Sequence, residues 1–223
     1  MKLRILLQDR HFLVVHKPAG ILTYAAQGQK GAQELLSQQI RRPVYPVHRL
    51  DKDTCGILVF ALSERAAGDF AALFRRQGIK KQYLTIVHDW PEESGTIKTP
   101  LEDRKTKVKS AAHTEYVRLA TVERELEGEM RRYALLRCEI QTGRFHQIRR
   151  HMRSIGHPVC GDPEYGNRWN NDTFKKHFGV KRTLLSAVSI QFTDRATRKN
   201  IALETRPDPD FVKVVRAFGW SLD

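Results

Sequence analysis

The strongest constraint on the fold is a change of character at residue 55. His48-Arg49-Leu50-Asp51-Lys52-Asp53 is densely charged, and Cys55-Gly56-Ile57-Leu58-Val59-Phe60 directly after it is apolar and strand-forming. A short apolar run of this kind reads as a strand buried in a sheet, so the charged segment is a loop at the mouth of that strand. There one carboxylate, Asp51, sits among three potential cations, His48, Arg49 and Lys52. An opposite charge nearby lowers a carboxylate pKa while burial raises it, so such a loop can desolvate Asp51 and still keep it ionised. The competing reading is a solvated turn whose charges neutralise one another.

The rest of the chain supplies short strands and a few helices. Residues 3–7 and 12–15 form a strand pair, and Lys17-Pro18-Ala19-Gly20 ends it. A helix is expected over 64–77, with Ser63 as N-cap, Gly78 as the residue after its end, and Ala67, Phe70, Leu73 and Phe74 on one face. Strand character resumes at 80–87. Residues 92–110 read as a polar loop, and strands 113–121 and 132–141 flank an acidic turn, Glu123 to Arg131, that contains Gly128. A second helix is expected over 144–155, then an aromatic and basic insertion at 166–182, strands at 184–192 and 200–204, and a closing helix opened by Asp208-Pro209. The fold class is therefore α+β: one domain spanning 1–223, with a central mixed, mostly antiparallel sheet flanked by helices and loops.

Composition bears on the partner. A net charge of +14 points to a polyanion, because neutralising phosphates releases counterions. The basic residues are spread along the chain and no long basic amphipathic helix offers itself to a bilayer, so nucleic acid is favoured over a membrane. Cys55, Cys138 and Cys160 are odd in number and lack a Cys-x-x-Cys pair, which indicates neither a disulfide framework nor a zinc site. No signal peptide or membrane-length segment is present. The expectation is a cytoplasmic, monomeric protein with no metal and no cofactor.

Thr142-Gly143-Arg144-Phe145-His146-Gln147-Ile148-Arg149-Arg150-His151 is the second constellation. As a helix it aligns Phe145, Ile148, Met152 and Ile155 in one apolar stripe, and Arg149 flanks that stripe, partly buried. A buried guanidinium needs an acid partner, and Asp51 is the partner selected. The opposite face, with Arg144, His146, Arg150 and Arg153, suits phosphates. His146 and His151 are five apart, unlike the pair of a zinc helix. Tyr83, in Lys81-Gln82-Tyr83, is either a core tyrosine or a stacking platform for a base drawn out of its helix.

Together with the His-Arg-Leu-Asp segment, these residues resemble the RluA-type pseudouridine synthases. Lys17-Pro18-Ala19-Gly20 resembles that family's Lys-Pro-x-Gly motif, and Gly161-Asp162-Pro163-Glu164-Tyr165-Gly166 resembles a further signature. The resemblance runs from about residue 4 to 205. Two departures are a residue more before His151 than is usual, and Leu185-Ser186-Ala187 where the family often has Leu-His-Ala. The chain is expected to open on the catalytic domain, without the accessory N-terminal RNA-binding domain of many relatives.

The resemblance implies the pseudouridine synthase fold and an isomerase that converts a specific uridine of a folded RNA to pseudouridine without cofactor. It implies Asp51 as the catalytic residue, Arg149 as its salt-bridge partner and Tyr83 against the target base. Arg49 enters the RNA stack, and His48, Lys81, Arg144, His146, Gln147 and Arg150 complete the RNA-contacting set. The stretches His177 to Arg182 and Ala217 to Trp220 resemble a tRNA-modifying member, so tRNA is the expected substrate and 23S ribosomal RNA the alternative. Two rivals from other classes are a non-catalytic RNA-binding protein and a metal-dependent nuclease using Asp51, Asp53, Asp162 and Glu164. The first leaves the placement of Asp51 unexplained. The second rests on carboxylate spacings that are common by chance.

Overall fold

The computed structural model describes residues 1–26 and 28–222. In chain order it runs β1 (Arg4–Gln8), β2 (Phe12–Lys17), α1 (Ala32–Ile40), β3 (Tyr45–Pro46), β4 (Cys55–Ala61), α2 (Glu64–Arg75) and β5 (Ile79–His88). Then come β6 (Ser94–Ile97), β7 (Leu101–Glu102), β8 (Lys109–Ser110), β9 (Thr114–Leu126), β10 (Glu129–Ile140), α3 (Gln147–Ser154) and α4 (Arg168–Phe178). β11 (Leu185–Thr193), β12 (Asn200–Glu204) and α5 (Pro209–Ala217) close the chain. The α+β class is the one the sequence implies.

Two compact units divide the chain: residues 1–81 with 187–208, and residues 82–186 with 209–223. In the first, the strand path is β1-β2-β4-β11, with β3 on β4 and β12 on β11. Its core follows from the alternation of β2 and β4. Phe12, Val14, Ile57 and Val59 meet Ala66 and Phe70 of α2 and Ile190 and Phe192 of β11. The rings of Phe12, Phe70 and Phe192 lie 5.2 to 5.7 Å apart, edge to face, the arrangement aromatic quadrupoles favour. β4 is buried along its whole length, as its unbroken apolar run requires.

Ser63 caps α2, its hydroxyl accepting the Ala66 amide at 3.2 Å. At the other end the left-handed residue is Gln77 (φ 55°), not Gly78, and the Gly78 amide closes onto the Leu73 carbonyl. α1 was not anticipated. A glycine, Gly31, stands at its N-cap, and the carboxylate of Glu34 accepts the amides of Gly31 (2.8 Å) and Ala25 (3.2 Å).

In the second unit the path is β5-β10-β9-β6, with β7 and β8 as a separate ribbon. The expected polar loop at 92–110 thus carries three short strands. The hairpin is longer than expected: Leu126 pairs with Glu129, and Glu127-Gly128 alone make the turn, at φ 55° and 76°. Two positive φ values suit the right-handed twist of the flanking strands. The 166–182 insertion is a core element. Phe174 is fully buried among Tyr133, Phe178 and Phe218, Lys176 and His177 pair with Glu127, and Arg182 pairs with Asp210. Arg168, Trp169, Asp172, Lys175, Lys176 and Lys181 are among its exposed groups.

Candidate active site

Asp51 lies partly buried in the loop that leads into β4, and backbone contacts hold that loop at several points. Thr54 N donates to the Asp51 carbonyl at 3.2 Å, closing a turn. The buried Thr23 hydroxyl donates to the Leu50 carbonyl and accepts the Leu50 amide, both at 3.1 Å. Lys17 is fully buried, and its ammonium donates to the carbonyls of Pro18 (3.1 Å), Ile21 (2.8 Å) and Lys52 (3.1 Å). Burial lowers the Lys17 pKa to about 8, against the pull of Cys55, Asp51, Asp53 and Asp208. Gly20 N donates to the same Lys52 carbonyl at 2.9 Å. The Lys-Pro-Ala-Gly turn is therefore the clamp on the residue next to Asp51. Gly56 is needed where the loop becomes strand: at φ 113°, a Cβ there would lie 2.1 Å from the Ala187 carbonyl oxygen.

The charges around Asp51 differ from the expected trio. His48 is not a cation: its Nε2 accepts the Val59 amide at 3.0 Å, which leaves the proton on Nδ1. Burial, with Lys81 second, lowers its pKa to about 3. Lys81 is also buried, its Nζ 5.3 Å from the Phe74 ring centre, and desolvation lowers its pKa to about 8. Arg49 and Lys52 are exposed. Arg49 Nη1 donates to the Tyr24 hydroxyl at 2.9 Å.

In the second unit Arg149 is buried and forked onto a buried carboxylate. Its Nε and Nη2 donate to Asp162 Oδ2 (2.6 Å) and Oδ1 (2.8 Å). Asp162 Oδ1 also accepts the amides of Glu164 (2.9 Å) and Tyr165 (3.1 Å). This partner, thirteen residues on, was not named from the sequence, although its Gly-Asp-x-x-Tyr-Gly motif stood out. Gly161 serves the same turn: at φ 74° a Cβ would meet the Arg182 carbonyl oxygen at 2.1 Å. Glu164 adds weaker contacts, to Arg149 Nη2 at 3.8 Å and His146 Nδ1 at 3.3 Å, and pairs with Arg104. The Arg149 guanidinium lies 5.1 Å from the Tyr165 ring centre. Tyr83, on β5 opposite Cys138, is buried.

α3 begins at Gln147, three residues later than expected, because His146 takes a left-handed conformation (φ 52°) as its N-cap. Gln147 is consumed by that turn. Its Oε1 accepts the Thr142 hydroxyl and Arg144 amide, and its Nε2 donates to the His113 carbonyl and Thr114 hydroxyl. Both ends of its amide are thus bonded within the protein. Arg144 is exposed, with Nε on the Ala111 carbonyl, and Arg150 Nη1 donates to the Glu102 carbonyl. The expected stripe holds at Ile148 and Met152, which are buried, but Ile155 is exposed at the helix end. His151 is a satisfied core histidine between the Thr114 hydroxyl and the Thr99 carbonyl.

Among the described residues one group places metal-ligating atoms within 4.8 Å of one another: His16, Cys55 and Asp208. His16 Nε2 is bonded to Asp208 Oδ1 at 2.6 Å, and Asp208 Oδ2 accepts the Ala19 amide. A cation there would have to displace that bond and face the Lys17 ammonium, so the set fits a hydrogen-bonded pair better than a metal.

Loop, motif order and fold converge with comparison. Residues 11–154 match the family model described as RNA pseudouridylate synthase. The chain is 34% identical to tRNA pseudouridine synthase C of Pasteurella multocida (strain Pm70), covering 100% of this chain and 99% of that protein. It is 33% identical to the protein of the same name from Vibrio cholerae, over 98% and 96% of the two chains. The fold is also that of Human RNA Pseudouridylate Synthase Domain Containing 4, at a TM-score of 0.78 and 22% identity over 98% of this chain and 94% of that one. This chain belongs to the RNA pseudouridylate synthase family, the isomerases that convert uridine to pseudouridine.

Proposed function

We propose that this protein isomerises a uridine of tRNA, with Asp51 as the catalytic carboxylate and Arg149 and Tyr83 as the other two active-site residues. Support for tRNA comes from the full-length similarity to relatives that carry tRNA in their names. Support for Asp51 comes from its motif and from the number of independent clamps on its loop, since a catalytic group must be held in a productive geometry. The reaction breaks the bond between C1′ and uracil N1, turns the base and joins C5 to C1′, while the C5 proton is lost and N1 gains one. No atom is gained overall. Asp51 acts on the ribose or the ring as nucleophile or base. Arg49, exposed on the same loop, is read as the residue that enters the RNA stack. The protein is read as a cytoplasmic monomer; no helix among the described residues is long and apolar enough to cross a membrane.

The test is incubation of the purified protein with unmodified tRNA transcripts and with a 23S ribosomal transcript, followed by mapping of pseudouridine. Product in tRNA supports the reading. Product in the ribosomal transcript alone overturns the substrate while keeping the enzyme class.

A further inference from the structure

Tyr24 is an exposed aromatic on a backbone that the fold immobilises. It keeps 42% of its surface in water. Its neighbour Thr23 clasps both backbone groups of Leu50, and the Gln33 and Ala32 amides donate to the Thr23 and Leu22 carbonyls at 2.9 and 2.8 Å. Gly31 lies so close that a Cβ there would meet the Tyr24 carbonyl carbon at 2.5 Å. The tyrosine hydroxyl in turn accepts Arg49 Nη1, and the guanidinium carbon stands 5.6 Å from the ring centre. Consecutive residues 23 and 24 thus hold consecutive residues 50 and 49, immediately before Asp51. A water-facing ring mounted this rigidly loses little entropy when something stacks on it.

We propose that Tyr24 is a nucleobase-stacking platform, forming with Arg49 one contact that takes an unpaired base of the RNA next to the target uridine. The inference rests on the RNA reading above and deepens it. Base–aromatic stacking tolerates any base because every base has a π-face, and it adds affinity without charge. That property separates it from the basic residues of this protein, whose contribution falls with salt.

The test uses the full chain carrying Asp51→Asn, so that bound RNA is not turned over, and measures its affinity for a fluorescein-labelled unmodified tRNA transcript across a salt series. A labelled 23S ribosomal transcript is titrated in parallel. Tyr24→Ala and Tyr24→Leu are expected to weaken binding to the recognised RNA by about tenfold or more. The slope of log Kd against log salt should stay unchanged, and Tyr24→Phe and Tyr24→Trp should bind close to the parent. Undiminished binding by folded Tyr24→Ala and Tyr24→Leu overturns the inference alone. So does a loss in Tyr24→Phe equal to that in Tyr24→Ala, which would reduce the role to holding Arg49 through the hydroxyl. A parent protein that binds neither transcript contradicts the RNA reading and this inference with it.

Discussion

The Lys17 ammonium donates to the Lys52 carbonyl at 3.1 Å, across thirty-five residues of sequence. It ties the turn after β2 to the residue adjoining Asp51, and it does so as a buried cation whose three donors each have an acceptor. Satisfying every proton is what makes such a burial tolerable.

Lys17→Met removes that cation and leaves three carbonyls to find new partners. An unsatisfied buried acceptor costs about 1–3 kcal/mol, so a clear fall in the urea midpoint is expected. Turnover of tRNA should fall at least about tenfold, equivalent to 1.4 kcal/mol of barrier, with RNA affinity little changed. Single-turnover kinetics and binding measured on the same variant separate the two. Wild-type turnover in Lys17→Met would mean the loop holds its shape without the clamp.

Arg149 and Asp162 form a buried bidentate pair, and breaking one side strands a charge at a cost of roughly 3–5 kcal/mol. Asp162→Asn should therefore destabilise the protein by that order. It also weakens the acceptor for the Glu164 and Tyr165 amides. Arg149→Lys keeps the charge but loses the planar fork, so a smaller loss of stability with a large loss of activity is expected. Chemical denaturation of both variants beside activity assays checks the ranking.

His48 gives the protein an acid-sensitive component. Its folded pKa of about 3 lies below the unfolded value of 6.5. Below pH 6.5 the unfolded chain takes up a proton that the folded chain refuses, so stability present above that pH is lost as pH falls toward 3. One proton is worth up to about 1.4 kcal/mol per pH unit. Urea midpoints between pH 7.5 and 5 should fall for the wild type and fall less steeply for His48→Asn. Equal slopes would show that His48 does not bury a neutral ring.

Phe174→Ala should cost about 3–5 kcal/mol, as expected for a truncated core aromatic. Deleting 166–182 should accordingly unfold the second unit rather than selectively remove RNA binding. A folded deletion variant, judged by its near-UV circular dichroism, would contradict the core assignment.

Much of this was legible from local chemistry. The β1–β2 pair, the Ser63 cap, the Asp208-Pro209 helix start and the burial of β4 all follow from residues adjacent in sequence. α1 was not legible because its start is held by Glu34 reaching back to Gly31 and Ala25, with no Ser, Thr, Asp or Asn at the cap. The start of α3 was misplaced because Gln147 ties the preceding turn, through Thr142 and Arg144, to the distant His113 carbonyl and Thr114 hydroxyl. His48 looked cationic in sequence, and only the tertiary approach of the Val59 amide makes its ring an acceptor. The core role of the 166–182 insertion was hidden for the same reason: nothing local says that Tyr133, Phe178 and Phe218 converge on Phe174.

The central claim is that Asp51 performs the isomerisation, and the direct measurement is pseudouridine formed in unmodified tRNA by wild-type protein and by Asp51→Asn. The amide keeps the shape of the carboxylate and removes its charge. Pseudouridine at a defined tRNA position with the wild type, and none with a folded, RNA-binding Asp51→Asn, is the predicted result. Product from Asp51→Asn within about tenfold of the wild-type rate, a difference of only 1.4 kcal/mol in barrier, would contradict it.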